Sequence, residues 1–321
     1  MNFNYKDKID DIWNGIVNRD YGFLGKGISL IENTNLKNYE YQLKILQLAI
    51  NRIKKKNMSS LIIGVTGTPG AGKSTFIDTL GDYIIKKSNK TIAVLAIDPS
   101  SPITKGSIMG DKIRMTKLLN HKRAYIRGSN NKDSLLSIGI KVYDIILLLI
   151  ATDFDIIFIE TVGVGQSEHI ISSFTDILCL ILQPIEGDEI QSIKKGITEL
   201  SNFILINKCD EKISERVISN YSKILNKEEA FVFNISSKYN KGIKEFWDSL
   251  ENKYLSNNIN KYIDKDIKIK LWLEQIISLI LFKKFINNNK NKVKFNIFKE
   301  ALKEKNQSIT EIINNINISK F

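Results

Sequence analysis

The sequence predicts an α/β protein: a mostly parallel, doubly wound sheet flanked by helices, with further helices at either end. Three observations lead there. Residues 58–257 alternate short, near-continuous apolar runs with longer amphipathic stretches, the pattern of strands buried on both faces and joined by crossover helices. A glycine-rich turn, Gly67 to Thr75, joins the first of those runs to the first amphipathic stretch. Residues 1–57 and 258–321 carry apolar residues at helical spacing and no strand pattern.

In chain order, the N-terminal extension (1–57) predicts two or three helices, over Tyr5–Val17, Leu24–Ile31 and Tyr39–Ile53, with Ile45, Leu46, Leu48 and Ala49 as the clearest apolar stripe. The central region (58–257) predicts strands at 60–65, 91–97, 124–127, 155–160, 176–182, 203–206 and 231–235. Between them it predicts helices at 73–87, 111–120, 134–151, 189–200, 212–226 and 242–255. Runs such as Ile156-Ile157-Phe158-Ile159 have no polar face, so both sides of the sheet must be covered. In such a sheet ligands bind beyond the carboxyl ends of the strands. The C-terminal region (258–321) is helical again. Leu271, Trp272, Ile276, Leu279, Ile280 and Phe282 form a face too broad for a solvated helix, while Glu274, Gln275, Lys283 and Lys284 argue against a membrane span.

Composition narrows the class. The net charge of +12 comes largely from Lys scattered among Asn and Ile, with no aromatic-interleaved Arg cluster, so nucleic acid is not the expected partner. The most apolar segments, near Ile145–Ile150 and Ile276–Phe282, are too short to span a bilayer. Cys179 and Cys209 fall in stretches read as buried strand and loop, and neither pairs with His121 or His169 at metal-site spacing. With no apolar leader in Met1–Asp7, a cytoplasmic protein without disulfides is expected.

The turn Gly67-Thr68-Pro69-Gly70-Ala71-Gly72-Lys73-Ser74-Thr75 fits G-x-x-x-x-G-K-[ST], the P-loop. That places the fold among the P-loop NTPases. The glycines allow a turn whose N–H groups point inward as an anion site. The helix that follows adds its positive end, Lys73 can reach the β- and γ-phosphates, and the Ser74 hydroxyl can ligate Mg²⁺. Asn207-Lys208-Cys209-Asp210 fits N-K-x-D, the guanine-reading motif. A carboxylate at Asp210 can accept from both N1–H and N2–H₂ of guanine, Asn207 can brace the base and the P-loop, and the Lys208 stem can lie over the purine. The competing reading of Asp210 is a helix cap. Ser236-Ser237-Lys238 sits where a backbone N–H meets guanine O6, with Ser237 in place of the usual Ala.

Two further stretches fall at strand ends. Glu160-Thr161-Val162-Gly163 resembles a D-x-x-G switch with Glu for Asp: Gly163 N–H can bond the γ-phosphate, and Glu160 can hold Mg²⁺ through water. The next residue is Val164, where GTPases often carry a water-orienting Gln. Asp98-Pro99-Ser100-Ser101-Pro102 leads through a loop to Gly110-Asp111-Lys112-Ile113-Arg114-Met115. It offers Asp98 and Asp111 for the metal or the attacking water, with a helix N-cap as the alternative for Asp111.

Together, the Asp98 and Gly110–Met115 segments and above all Glu160-Thr161-Val162-Gly163-Val164-Gly165-Gln166-Ser167-Glu168 resemble the MeaB/ArgK family of P-loop GTPases across residues 58–240. The departures are Lys105 for a usual Gly and Cys209 for a common Ala. The resemblance implies a homodimer with a C-terminal dimerising arm. It also implies a GTP-dependent chaperone that gates cofactor loading of an adenosylcobalamin-dependent mutase, methylmalonyl-CoA mutase or a relative, and protects that enzyme. A nickel-insertion GTPase would share the fold but should carry a His-rich tract or Cys/His pair, which this chain lacks. A metabolite kinase would use the P-loop without Asn207–Asp210.

Overall fold

The structure, a computed structural model of the chain, describes residues 8–98, 115–130, 135–161, 171–184, 195–210 and 231–255, with Leu273, Glu274 and Ile277. The chain divides into two compact units, Met1–Ile269 and Lys270–Phe321. In the second, the three described residues are helical, and Leu273 and Ile277 are exposed. The predicted dimerising arm otherwise lies outside the described residues, as do the predicted helix at 212–226 and residues 111–114 and 189–194 of two others.

Seven strands form one sheet: β1 (Leu61–Gly67), β2 (Ile92–Asp98), β3 (Ala124–Asn130), β4 (Ile156–Glu160), β5 (Ile177–Leu182), β6 (Phe203–Ile206) and β7 (Phe231–Asn234). Their order is β3-β2-β4-β1-β5-β6-β7, and every neighbouring pair is parallel. All carboxyl ends therefore lie on one edge, which gathers Gly67, Asp98, Glu160, Leu182, Ile206 and Asn234.

Strand alternation divides the apolar side chains between two layers. Ile63, Val65, Ile156, Phe158, Cys179 and Leu205 pack under α4 (Lys73–Lys87), α5 (Thr116–Leu119) and α8 (Ile243–Leu255), through Phe76, Leu80, Leu118 and Phe246. Ala93, Leu95, Ile97, Ile157 and Ile159 face the other way. They meet α6 (Leu135–Ala151) and three N-terminal helices: α1 (Ile9–Val17), α2 (Tyr21–Glu32) and α3 (Tyr39–Lys56). The N-terminal helices thus share a core with the sheet. Asp20 caps α2, accepting from Gly22 and Phe23 N–H at 2.8 and 3.2 Å. A third, smaller cluster joins Leu180, Leu182, Ile204 and Ile206 to Ile197 on α7 (Lys195–Leu200). Among the described residues no helix is long and apolar enough to cross a membrane.

Two strands run further than their sequence suggests. Arg127-Gly128-Ser129-Asn130 lacks apolar alternation, yet it pairs in register with Leu95-Ala96-Ile97-Asp98. Thr66 and Gly67 likewise extend β1 along Leu180 and Ile181. In both places the partner strand supplies a ladder that overrides weak local propensity.

Candidate functional site

The phosphate end begins at Gly67. Its φ is 146°, and a Cβ there would run into the Ile181 carbonyl oxygen, so only glycine lets β1 turn this close to β5. The loop closes with Ala71 N–H donating to Thr68 O at 3.2 Å. Gly72 at φ 90° starts α4, and no side chain caps that helix. Its positive end is left for an anion from outside.

Lys73 is buried and arches back over the loop, its Nζ donating to Gly67 O at 2.8 Å and Thr68 O at 3.0 Å. Ser74 Oγ donates to Glu160 Oε1 at 2.7 Å, both residues buried. Glu160 ends β4 and stands in register with Val65 of β1 and Ala96 of β2. The P-loop helix and the switch strand therefore meet through these two side chains. Thr161 follows, its N–H donating to Val65 O at 3.0 Å, while its buried hydroxyl has no hydrogen-bond partner among the described residues.

The base end is built from the loops after β5, β6 and β7. Asn207 is its centre. Its amide donates to Ala71 O at 2.8 Å, and its Oδ1 accepts from Ser237 N–H at 3.0 Å and Ser237 Oγ at 2.9 Å. A Cβ on Gly72 would lie 2.5 Å from Asn207 Nδ2, which is why the P-loop can reach this clasp. The Ser237 carbonyl in turn accepts from Thr79 of α4 at 2.9 Å. Lys208 sits at φ 63° with its Nζ donating to Gln183 Oε1 at 3.0 Å. The Ser236 hydroxyl donates to Asp210 Oδ1. One hydroxyl therefore orients Asp210, leaving lone pairs for a base. Lys238 lies over the Tyr239 ring, 5.2 Å from its centroid.

The sequence-derived residues Gly67, Thr68, Pro69, Gly70, Ala71, Gly72, Lys73, Ser74, Thr75 and Glu160 gather at one end. Asn207, Lys208, Asp210, Ser236, Ser237 and Lys238 gather at the other, and Asn207 ties the two together. Asp98 is the last residue of β2, on the same sheet edge. Asp111, Gly163, Val164 and Gln166 lie outside the described residues. Sequence reasoning passed over Thr79, Gln183 and Thr161. Gln183 had a signal, as the first polar residue after an all-buried strand. Thr79 had none, because a Thr in mid-helix looks like any other.

A family model described as methylmalonyl Co-A mutase-associated GTPase MeaB matches residues 24–290. The chain belongs to this family. A probable GTPase of Mycobacterium tuberculosis is 35% identical over 255 residues, covering 76% of this chain and 74% of that protein. The mouse protein named methylmalonic aciduria type A homolog, mitochondrial, is 35% identical over 258 residues, covering 75% of this chain and 62% of its own length. A crystal structure of LAO/AO transport system kinase superposes with a TM-score of 0.71 over 98% of this chain and 97% of that one, at 21% identity, and so confirms the P-loop α/β fold. This MeaB-family chain binds guanine nucleotide and is a GTPase, converting GTP to GDP and phosphate.

Proposed function

We propose that this GTPase is a chaperone of an adenosylcobalamin-dependent acyl-CoA mutase, methylmalonyl-CoA mutase first, and uses GTP binding and hydrolysis to gate cofactor loading and protect the enzyme. The observation that carries the reading is the match over residues 24–290 to a family described by its association with that mutase.

In this reading the N–H groups of Gly67–Thr75 and the open end of α4 hold the phosphates. Lys73 exchanges its carbonyl partners for phosphate oxygens. Asp210 reads guanine, held by Ser236 and flanked by Lys208, while Asn207 keeps base loop and P-loop at one spacing. Gly163, Asp98 and Asp111 complete the phosphate side. Mg²⁺ fits the donors present: the Ser74 hydroxyl and the Glu160 carboxylate are hard oxygen ligands 2.7 Å apart, with Asp98 on the same edge. When bound, Mg²⁺ neutralises charge on the phosphates. Val164 cannot orient water, so the intrinsic rate is slow and the partner raises it by acting on residues 98–115 and 160–170. The region 258–321 acts as a dimerising arm, and the protein works in the cytoplasm.

The test is steady-state phosphate release with and without the purified mutase, together with a pull-down of the mutase in GTP and GDP. A slow basal rate that rises with the mutase is expected. Fast turnover by the isolated protein, or no capture in either nucleotide, would refute the proposal.

A further inference from the structure

Helix α4 carries more than the P-loop. Asp78 and Thr79 sit side by side on it, both buried at 5% and 3% exposure, and they reach in different directions. Thr79 holds the base loop through Ser237 O. The Asp78 carboxylate turns to α5, accepting from Leu118 N–H at 2.9 Å and from Lys117 N–H at 3.4 Å.

Helix α5 is four residues long and has no side-chain cap of its own. A helix that short does not hold itself together in water, so its place depends on what α4 offers. Asp78 supplies the missing cap from across the interface. The two helices also pack closely: a Cβ on Gly81 would lie 2.8 Å from Leu118 Cδ1, and Met115 and Leu118 are fully buried beneath them. Lys117 Nζ adds a long contact of 3.4 Å to Thr79 Oγ1. Burial pushes the Asp78 carboxyl above the ordinary carboxylate range, against the opposing pull of the Leu118 and Lys117 N–H groups. A carboxylate kept in that position is costly unless its acceptors are used.

Position in the chain gives this contact its consequence. Residue 98 ends β2, and Met115 immediately precedes α5. The segment that carries Asp98 and Asp111 is therefore fixed to the sheet at its start and to α4 at its end. We propose that Asp78 is a positioning residue for GTP hydrolysis: by capping α5 it sets where that segment rejoins the core, and it takes no part in reading the base. The inference rests on the chain being a GTPase and on the reading of Asp98 and Asp111 as phosphate-side residues, and not on the mutase reading, because its test contains no partner.

The experiment measures the single-turnover hydrolysis rate and the GTP dissociation constant of the full chain and three variants. In Asp78→Ala the rate falls about 10- to 100-fold, the scale set by small misplacement of reacting groups, while GTP affinity stays within about twofold. Asp78→Asn keeps an acceptor for the shorter bond, that to Leu118, and recovers the rate to within about threefold of the unaltered chain. Thr79→Val is the contrast: loss of its bond to Ser237 O weakens GTP binding roughly 2- to 10-fold. An unchanged rate in Asp78→Ala would overturn the proposal. So would equal loss of rate and affinity in both Asp78 variants, which is what a merely structural carboxylate would give.

Discussion

The two ends of the nucleotide site are held in different ways. At the base end the bonds run between loops: Asn207 to Ala71 and Ser237, Asp210 to Ser236, Lys208 to Gln183. Two of these engage groups a guanine would use, since Ser237 N–H donates to Asn207 and Ser236 holds one oxygen of Asp210, but Asp210 keeps further lone pairs and the Lys208 stem stays available. At the phosphate end the functional groups are bonded to one another: Lys73 to its own loop carbonyls and Ser74 to Glu160. A base enters a frame already largely set, in which the Ser237 N–H alone must be shared with it, whereas phosphate and metal must replace the bonds of Lys73, Ser74 and Glu160. Pre-organisation lowers the ordering cost of binding, so the base end supplies specificity. The exchange of partners at the phosphate end is where binding can change the protein, as a nucleotide switch requires.

The largest expected effect comes from breaking the base end. Asp210→Asn removes an acceptor for two guanine donors, and a site built around a polar partner rejects a ligand lacking it by on the order of 10⁴-fold. GTP binding should collapse, and xanthosine triphosphate, whose carbonyl at position 2 accepts from the new amide, should bind in its place. Competition among GTP, ATP and XTP on both proteins decides the matter. If the variant kept its preference for GTP while folded, Asp210 would be a helix cap, since Asn caps as well as Asp.

The difference between the ends also explains what was legible in the sequence. Lys73, Ser74, Asn207 and Asp210 were readable because ligand chemistry fixes their types and spacing. The strands were readable because runs such as Ile177-Leu178-Cys179-Leu180-Ile181-Leu182 are buried throughout. The cross-loop bonds were not, because spacing along the chain says nothing about which loop meets which. The sequence suggested that Ser237 in place of Ala matters little, since its backbone makes the contact to the base. The structure adds a second bond from its hydroxyl to Asn207, visible only once β6 and β7 are paired. The extension of β3 to Asn130 was equally hidden, because Gly128, Ser129 and Asn130 are held by β2 and not by their own propensity.

An intermediate effect is expected from the Ser74–Glu160 pair. Ser74→Ala removes one oxygen donor and leaves Glu160 without this partner. Loss of a supporting partner alone costs about 10- to 100-fold in metal affinity, so turnover should fall by at least about tenfold and need more Mg²⁺ to recover. GDP, with one phosphate fewer to bridge, should lose less affinity than GTP. A Mg²⁺ titration of hydrolysis reads this. An unchanged midpoint would make the pair a structural lock between α4 and β4 and would blur the contrast between the two ends.

The smallest expected effect sharpens the contrast, because it concerns a group with no hydrogen-bond partner among the described residues. The Thr161 hydroxyl is buried beside Glu160 and makes no hydrogen bond among the described residues. A buried polar group left unsatisfied costs about 1–3 kcal/mol, and replacing it by a methyl of the same shape removes that cost. Thr161→Val should therefore leave the nucleotide-free protein equally stable or raise its melting temperature by a few degrees, a shift of about 1 kcal/mol in a domain this size. If the hydroxyl awaits the nucleotide or its water, the same variant should gain less stability from GTP than the unaltered chain does, by a comparable amount. Thermal melts with and without GTP separate the two terms. A lower melting temperature without nucleotide would mean that Thr161 already has a protein partner. The phosphate end would then be as fully bonded as the base end, and the distinction between a set frame and an exchanging one would no longer hold at this residue.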